Sequence, residues 1–252
     1  MIFSLAYPSR LLLAVLALLA AYLVGTNVAW ALRVPKPGRF GRAVEFIRLW
    51  GTRLWLGDVL RLAYYLLLPY LILYQGCVSL LDLGLADLDW IRGLGLTVAL
   101  GSGSLLLLAL LWRQHARLVG SAALLPQARW LEQPLGWAFV LREAILLEAW
   151  WALCRSPMLL LAGPYFGVYL GLLVLYGVGL LNARTRYELG QPGLREGIVL
   201  TASLALVTAT LYLFTHNLWL CIGLHFLLRL VVLQIVRSAP LSVASAYQRP
   251  GT

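Results

Sequence analysis

Charge is what this chain has least of. Of its 252 residues, 12% are Asp, Glu, Lys or Arg and 62% are hydrophobic, and the mean hydropathy is +0.84. A soluble domain carries about 25% charged residues, so an ordinary water-soluble globule is excluded. Lysine is almost missing: Lys36 is the single example, and arginine supplies the rest of a formal net charge of +10. There are three cysteines, Cys77, Cys154 and Cys221, and no two have metal-ligand spacing. That excludes a zinc or disulfide framework and leaves three small packing residues. The alternation of apolar and polar residues that a transmembrane β-barrel needs is absent. No internal repeat points to a transporter built from two halves, and no nucleophile motif supports serine catalysis.

What is present is long apolar runs. The sequence predicts an all-α, polytopic transmembrane helix bundle of about seven spans, at 11–32, 59–81, 93–112, 134–161, 158–182, 197–214 and 218–236. Each is long enough, or nearly so, for a hydrocarbon layer of roughly 30 Å. The first is read as a transmembrane anchor. Ala29-Trp30-Ala31 resembles a signal-peptidase site, but the apolar run is long for a signal peptide. After the helix-breaking 34–38 stretch, Arg39, Arg42, Glu45, Arg48 and Arg53 recur about once per turn among Phe40, Phe46, Trp50 and Trp55. That pattern predicts an interfacial amphipathic helix over 39–56, with arginines toward headgroups and tryptophans toward acyl chains. Gly163, Gly167 and Gly171 recur every fourth residue and predict a face where another helix backbone can approach. That face and the 39–56 segment are the two candidate surfaces for other membrane proteins. In the bend 156–157, Ser156-Pro157 is expected to kink or end the fourth span. Fourteen of the twenty Lys and Arg residues fall in the loops at 33–58, 113–133 and 183–196 and in the tail. The asymmetry predicts an integral, multi-pass protein with its N-terminus outside and its C-terminus on the cytoplasmic side. It makes the basic charge a feature for the lipid bilayer, with no nucleic acid as partner.

The fourth span is the unusual one. It carries Arg142, Glu143, Glu148 and Arg155. A charge at bilayer depth costs about 2.5–3.5 kcal/mol, so such residues face a partner or a wet cavity. Glu148 and Arg155 lie two turns apart on nearly one face, and Glu143 points away. The last span adds His225 and Arg229, four apart and on one face. If the two polar helices face each other, Glu148 can pair with Arg229 or hydrogen-bond His225. Two roles stand open: a buried carboxylate for proton chemistry or ligand binding, and a structural ion pair between helices. His216 sits nine residues before His225, on the opposite face.

The stretch from Asn217 through Leu218-Trp219-Leu220-Cys221-Ile222-Gly223-Leu224 to His225 resembles the last motif helix of the CAAX protease and bacteriocin-processing (CPBP) family. That family includes the type II CAAX prenyl endopeptidases and related intramembrane glutamate proteases. Its pattern is Glu-Glu-x-x-x-Arg, then Phe-x-x-x-His, then His-x-x-x-Asn, and the resemblance covers roughly residues 134–236. Glu148 stands at the first glutamate, Ala149 at the second, and Leu153 at the arginine with Arg155 two residues later. Tyr176-Gly177-Val178-Gly179-Leu180 occupies the second motif without its histidine. His225 matches the third, with Arg229 in place of its asparagine. The resemblance implies a catalytic group of Glu148, His225 and Arg229, with Arg155 as a candidate support, and Glu148 activating a water. It divides the chain into an N-terminal anchor region with the interfacial helix (1–133), a CAAX-protease-like membrane core (134–236) and a tail (237–252). The degenerate motifs imply a non-catalytic membrane subunit or scaffold in a larger complex. The alternative is an active intramembrane glutamic endopeptidase cleaving a membrane-associated peptide. A weaker alternative is a pigment- or haem-binding membrane subunit using His225. No metal, pigment or other cofactor is expected from any other residue pattern.

Overall fold

The computed structural model describes residues 7–32, 56–119, 125–191 and 193–238. Among them every regular element is helical and no strand occurs. Six helical stretches are long and apolar enough to cross a membrane. The chain forms two compact units, each discontinuous in sequence: Met1–Leu83 with Ala149–Arg186, and Gly84–Glu148 with Tyr187–Thr252. The expected interfacial helix at 39–56 and the tail from 239 onward lie outside the described residues.

In the first unit, α1 (Tyr7–Ala31) has 25 residues, is rich in Leu, Ala and Val, and has a proline only in its first turn, where a missing N–H costs nothing. α2 (Leu56–Leu62) and α3 (Leu68–Tyr74) are joined by a widened π-type turn at Ala63–Leu67. Pro69, just beyond it, lacks an N–H and crowds the preceding turn, and the widened turn accommodates it. α3 ends at Gly76, whose φ of 67° is a glycine conformation. There Gly76 N–H donates to Leu73 O and Cys77 N–H to Ile72 O, both at 3.0 Å, closing the helix end by the Schellman pattern. An aromatic cluster fills the unit's core. The Tyr64 ring lies 4.9 Å from Trp150 and 5.7 Å from Tyr22, and its hydroxyl donates to Leu18 O at 2.6 Å. Tyr65 also enters this cluster, whereas Tyr70 and Tyr74 stack on each other and are exposed.

The predicted fourth and fifth spans form one helical element, α5 (Gly136–Leu181), 46 residues long. A straight helix of that length would measure roughly 69 Å. It is not straight. At Gly163 the backbone takes φ 75° and ψ 173°, a region open to glycine, and Pro164 then starts the next turn. The arms fold back on each other: a Cβ on Gly167 would lie 2.5 Å from Met158 O, and one on Gly171 would lie 2.9 Å from Arg155 Cα. An end of the fourth span at Ser156-Pro157 is therefore corrected to Gly163. Pro157 stays inside the helix, and Ser156 Oγ donates to Ala152 O at 2.8 Å. Gly163 is the turn, and Gly167 and Gly171 receive the chain's own preceding arm. α6 (Ala183–Leu189) follows. Asn27 on α1 ties this junction down: its Oδ1 accepts from Ala183 N–H at 2.8 Å.

In the second unit, α4 (Trp90–Val119) is capped by Asp89, whose Oδ1 accepts from Arg92 N–H at 3.1 Å. A 3-10 turn at Pro126–Glu132 leads into the start of α5. α7 (Arg195–Thr215) ends at His216 in the left-handed conformation, φ 45°. α8 (Leu218–Ser238) is capped by Asn217, whose Oδ1 accepts from Leu220 N–H at 3.2 Å. α8 is the most enclosed of the six apolar stretches. Small residues on α4 let it approach α8: Gly93 faces Leu220 and Gly101 faces Leu224. The loop before α4 closes on the α7–α8 turn, where Leu218 N–H donates to Gly84 O at 2.8 Å. Gly84 has φ 72°, and a Cβ there would lie 2.6 Å from His216 O.

Candidate functional site

α8 buries one polar stripe. Asn217, Cys221, His225 and Arg229 recur every fourth residue, and their exposures are 0%, 0%, 0% and 2%. Four residues advance a helix by about 400°, so the stripe drifts only about 40° per step and stays on one side. Cys221 Sγ lies 3.4 Å from Thr208 O on α7. At the third step the stripe meets α5. His225 Nδ1 lies 3.0 Å from Glu148 Oε1, and both side chains are wholly buried. On the far side of the ring, Arg229 Nη1 lies 3.5 Å from His225 Nε2.

The donor inventory orients this relay. A guanidinium can only donate, so a bond from Arg229 makes Nε2 the acceptor. Nδ1 then carries the proton and donates to the Glu148 carboxylate. Glu148 Oε2 is buried with no hydrogen bond among the described residues. A carboxylate and an imidazole at this distance can hold one proton between them and pass it either way. In this conformation neither group touches solvent. Both ring nitrogens of His225 face a charged side chain.

Three of the four expected site residues therefore converge: Glu148, His225 and Arg229. The hydrogen bond from His225 to Glu148 is present. Arg155 belongs to the first unit, where it is 2% exposed and packs its stem against Gly171. Glu143 is also buried, and Arg142 lies over the Phe139 ring at 5.5 Å. Tyr176 stands on the second arm of α5. His216 is exposed, its ring edge-on to Tyr212 at 5.5 Å. Among the described residues no group of three or more His, Cys, Asp or Glu side chains is placed to hold a metal ion.

Two features escaped the sequence reading. The extension of the stripe to Asn217 and Cys221 was signalled by the same four-residue spacing that linked His225 to Arg229. The other is Glu196, 6% exposed, with Oε1 3.8 Å from His115 Nε2 and 3.9 Å from Arg195 Nη2. No local signal joins residues 115 and 196. The architecture is that of an all-helical protein compatible with multi-pass membrane insertion. No family model, curated protein or solved structure matches the chain.

Proposed function

We propose that this chain is a multi-pass integral membrane protein resembling the CAAX protease and bacteriocin-processing family, and that it is a degenerate member acting as a non-catalytic membrane subunit or scaffold. The observation that supports this reading is the closed relay: Glu148 Oε1 is 3.0 Å from a buried His225, and Arg229 stands at the imidazole's other nitrogen. A general base must reach the proton it removes, directly or through one water. Here the imidazole occupies Glu148 Oε1, and the relay joins α5 to α8 in place of presenting a carboxylate to a substrate. The two arms of α5 cross the membrane separately in this reading, giving seven crossings with opposite termini on opposite sides, N-terminus outside. In this reading the 39–56 segment lies along the interface and is the candidate contact for other membrane proteins.

The alternative is an intramembrane glutamic endopeptidase. It is favoured by Glu148 Oε2, which has no hydrogen bond among the described residues and would suit a water once the site opened. One experiment separates them. Wild type and Glu148→Gln are reconstituted and incubated with a library of membrane-associated peptides, and cleavage is read by mass spectrometry. The scaffold reading expects no difference between the two. Wild-type cleavage that disappears in a folded Glu148→Gln variant would replace it with the endopeptidase.

A further inference from the structure

One end of the second unit gathers arginines. α4 and α8 run in the same direction, because Gly93 faces Leu220 and Gly101 faces Leu224. α7 runs the opposite way, being joined to α8 by a two-residue turn. The C-terminal ends of α4 and α8 and the N-terminal end of α7 therefore share one side. Contacts agree: His115 on α4 lies 3.8 Å from Glu196 on α7, and Arg237 on α8 donates to Leu131 O at 3.0 Å. On this end Arg113, Arg117, Arg129, Arg195 and Arg237 are all exposed. The carboxylates of the same segments are Glu132, exposed, and Glu196, buried beneath Arg195. The opposite end of the unit carries Asp87 and Asp89 beside Arg92.

We propose that this arginine end is a binding surface for the phosphate headgroups of anionic lipids. Three helices long and apolar enough to cross a membrane, Trp90–Leu118, Arg195–Thr215 and Leu218–Ser238, begin or end here. A helix that spans the hydrocarbon places its ends at headgroup level. Phosphate is thus the anion already at this depth. Guanidinium suits it better than ammonium, because its planar fork bonds two phosphate oxygens at once and it is more weakly hydrated. Neighbouring cations raise the local potential and favour a headgroup with net negative charge over a zwitterionic one. The inference rests on the membrane reading of the fold and not on the fate of Glu148, so its test and the cleavage test fail independently.

The experiment uses the full chain in a neutral detergent, titrated with short-chain phosphatidylglycerol or phosphatidylcholine, with bound lipid counted by native mass spectrometry. Wild type is expected to favour phosphatidylglycerol by roughly tenfold or more, with the preference shrinking as salt rises. The triple variant Arg113→Gln, Arg117→Gln, Arg195→Gln loses the preference, and Arg92→Gln, on the opposite end, keeps it. Replacing the same three by lysine retains part of the preference, as charge remains and the fork is lost. If the triple variant does not fold, the single variants Arg113→Gln and Arg195→Gln carry the test, each with a partial loss. No preference in wild type, or full preference in a folded triple variant, overturns the proposal. Inorganic phosphate that displaces the lipid with equal strength also overturns it and makes this a site for free phosphate.

Discussion

His225 is the residue on which the buried polar network turns, because it lies between Glu148 and Arg229. Its removal leaves Glu148 in an apolar interior without the donor 3.0 Å away. An orphaned buried group costs about 1–3 kcal/mol, more when charged. His225→Ala is therefore expected to lower stability by at least about 2 kcal/mol, read as a shift of the unfolding midpoint in a mixed-micelle denaturant titration. Glu148→Gln keeps an amide oxygen that accepts from Nδ1–H and costs less. In the double-mutant cycle with Glu148→Leu and His225→Leu, a coupling of about 1–3 kcal/mol is expected, since residues sharing one hydrogen bond are not independent. A coupling near zero would show that the pair does not hold α5 to α8. The residue types were legible in the sequence. Glu, His and Arg stand out in apolar spans because each must find a partner there. Which partner each finds is not a local property, since residues 148 and 225 are joined only by the fold.

At the scale of elements, the fold-back of α5 is the feature most open to test. Gly167 and Gly171 have the backbone or stem of the facing arm where a Cβ would stand, and backbone cannot swing aside. Gly167→Ala is expected to destabilise by about 2 kcal/mol or more through forced overpacking. Gly177→Ala, on the same arm with nothing within 4 Å, is expected to be neutral or to stabilise by about 0.5–1 kcal/mol, since alanine favours the helix. Equal effects at the two positions would contradict the fold-back. The four-residue glycine spacing was readable as a close-packing face, and it is one. Its occupant was not readable, because any helix can fill a groove of small residues. The place of the turn was misjudged for a related reason. Proline draws attention as a breaker, yet a helix can continue through one, as it does at Pro157. A residue with φ 75° and ψ 173° reverses the chain outright.

For the whole molecule, the number of crossings decides where the termini lie. If both arms of α5 cross, an odd number of spans puts the termini on opposite sides. If α5 enters and returns, five spans remain, and that odd count also puts the termini on opposite sides. Reporter fusions at the two ends, active on one side of the membrane only, are expected to give opposite signals, with the C-terminal reporter on the cytoplasmic side. Matching signals would reduce the crossings to an even number. The headgroup surface belongs to this scale as well, because it is assembled from the ends of three helices and no single loop contains it.

Composition alone made the chain helical and apolar enough to cross a bilayer, because hydrocarbon admits only backbones that satisfy their own hydrogen bonds. Spacing along α8 put His225 and Arg229 on one face, because four residues make about one turn. Only the tertiary structure decided that Glu148 meets His225 Nδ1 while Arg155 lies in the other unit, and that Gly163 is a turn. Where all faces of a helix are apolar, the periodicity that reports its rotation is lost. Rotation and pairing are then set by long-range packing, by Gly101 against Leu224 and by Gly171 against Arg155.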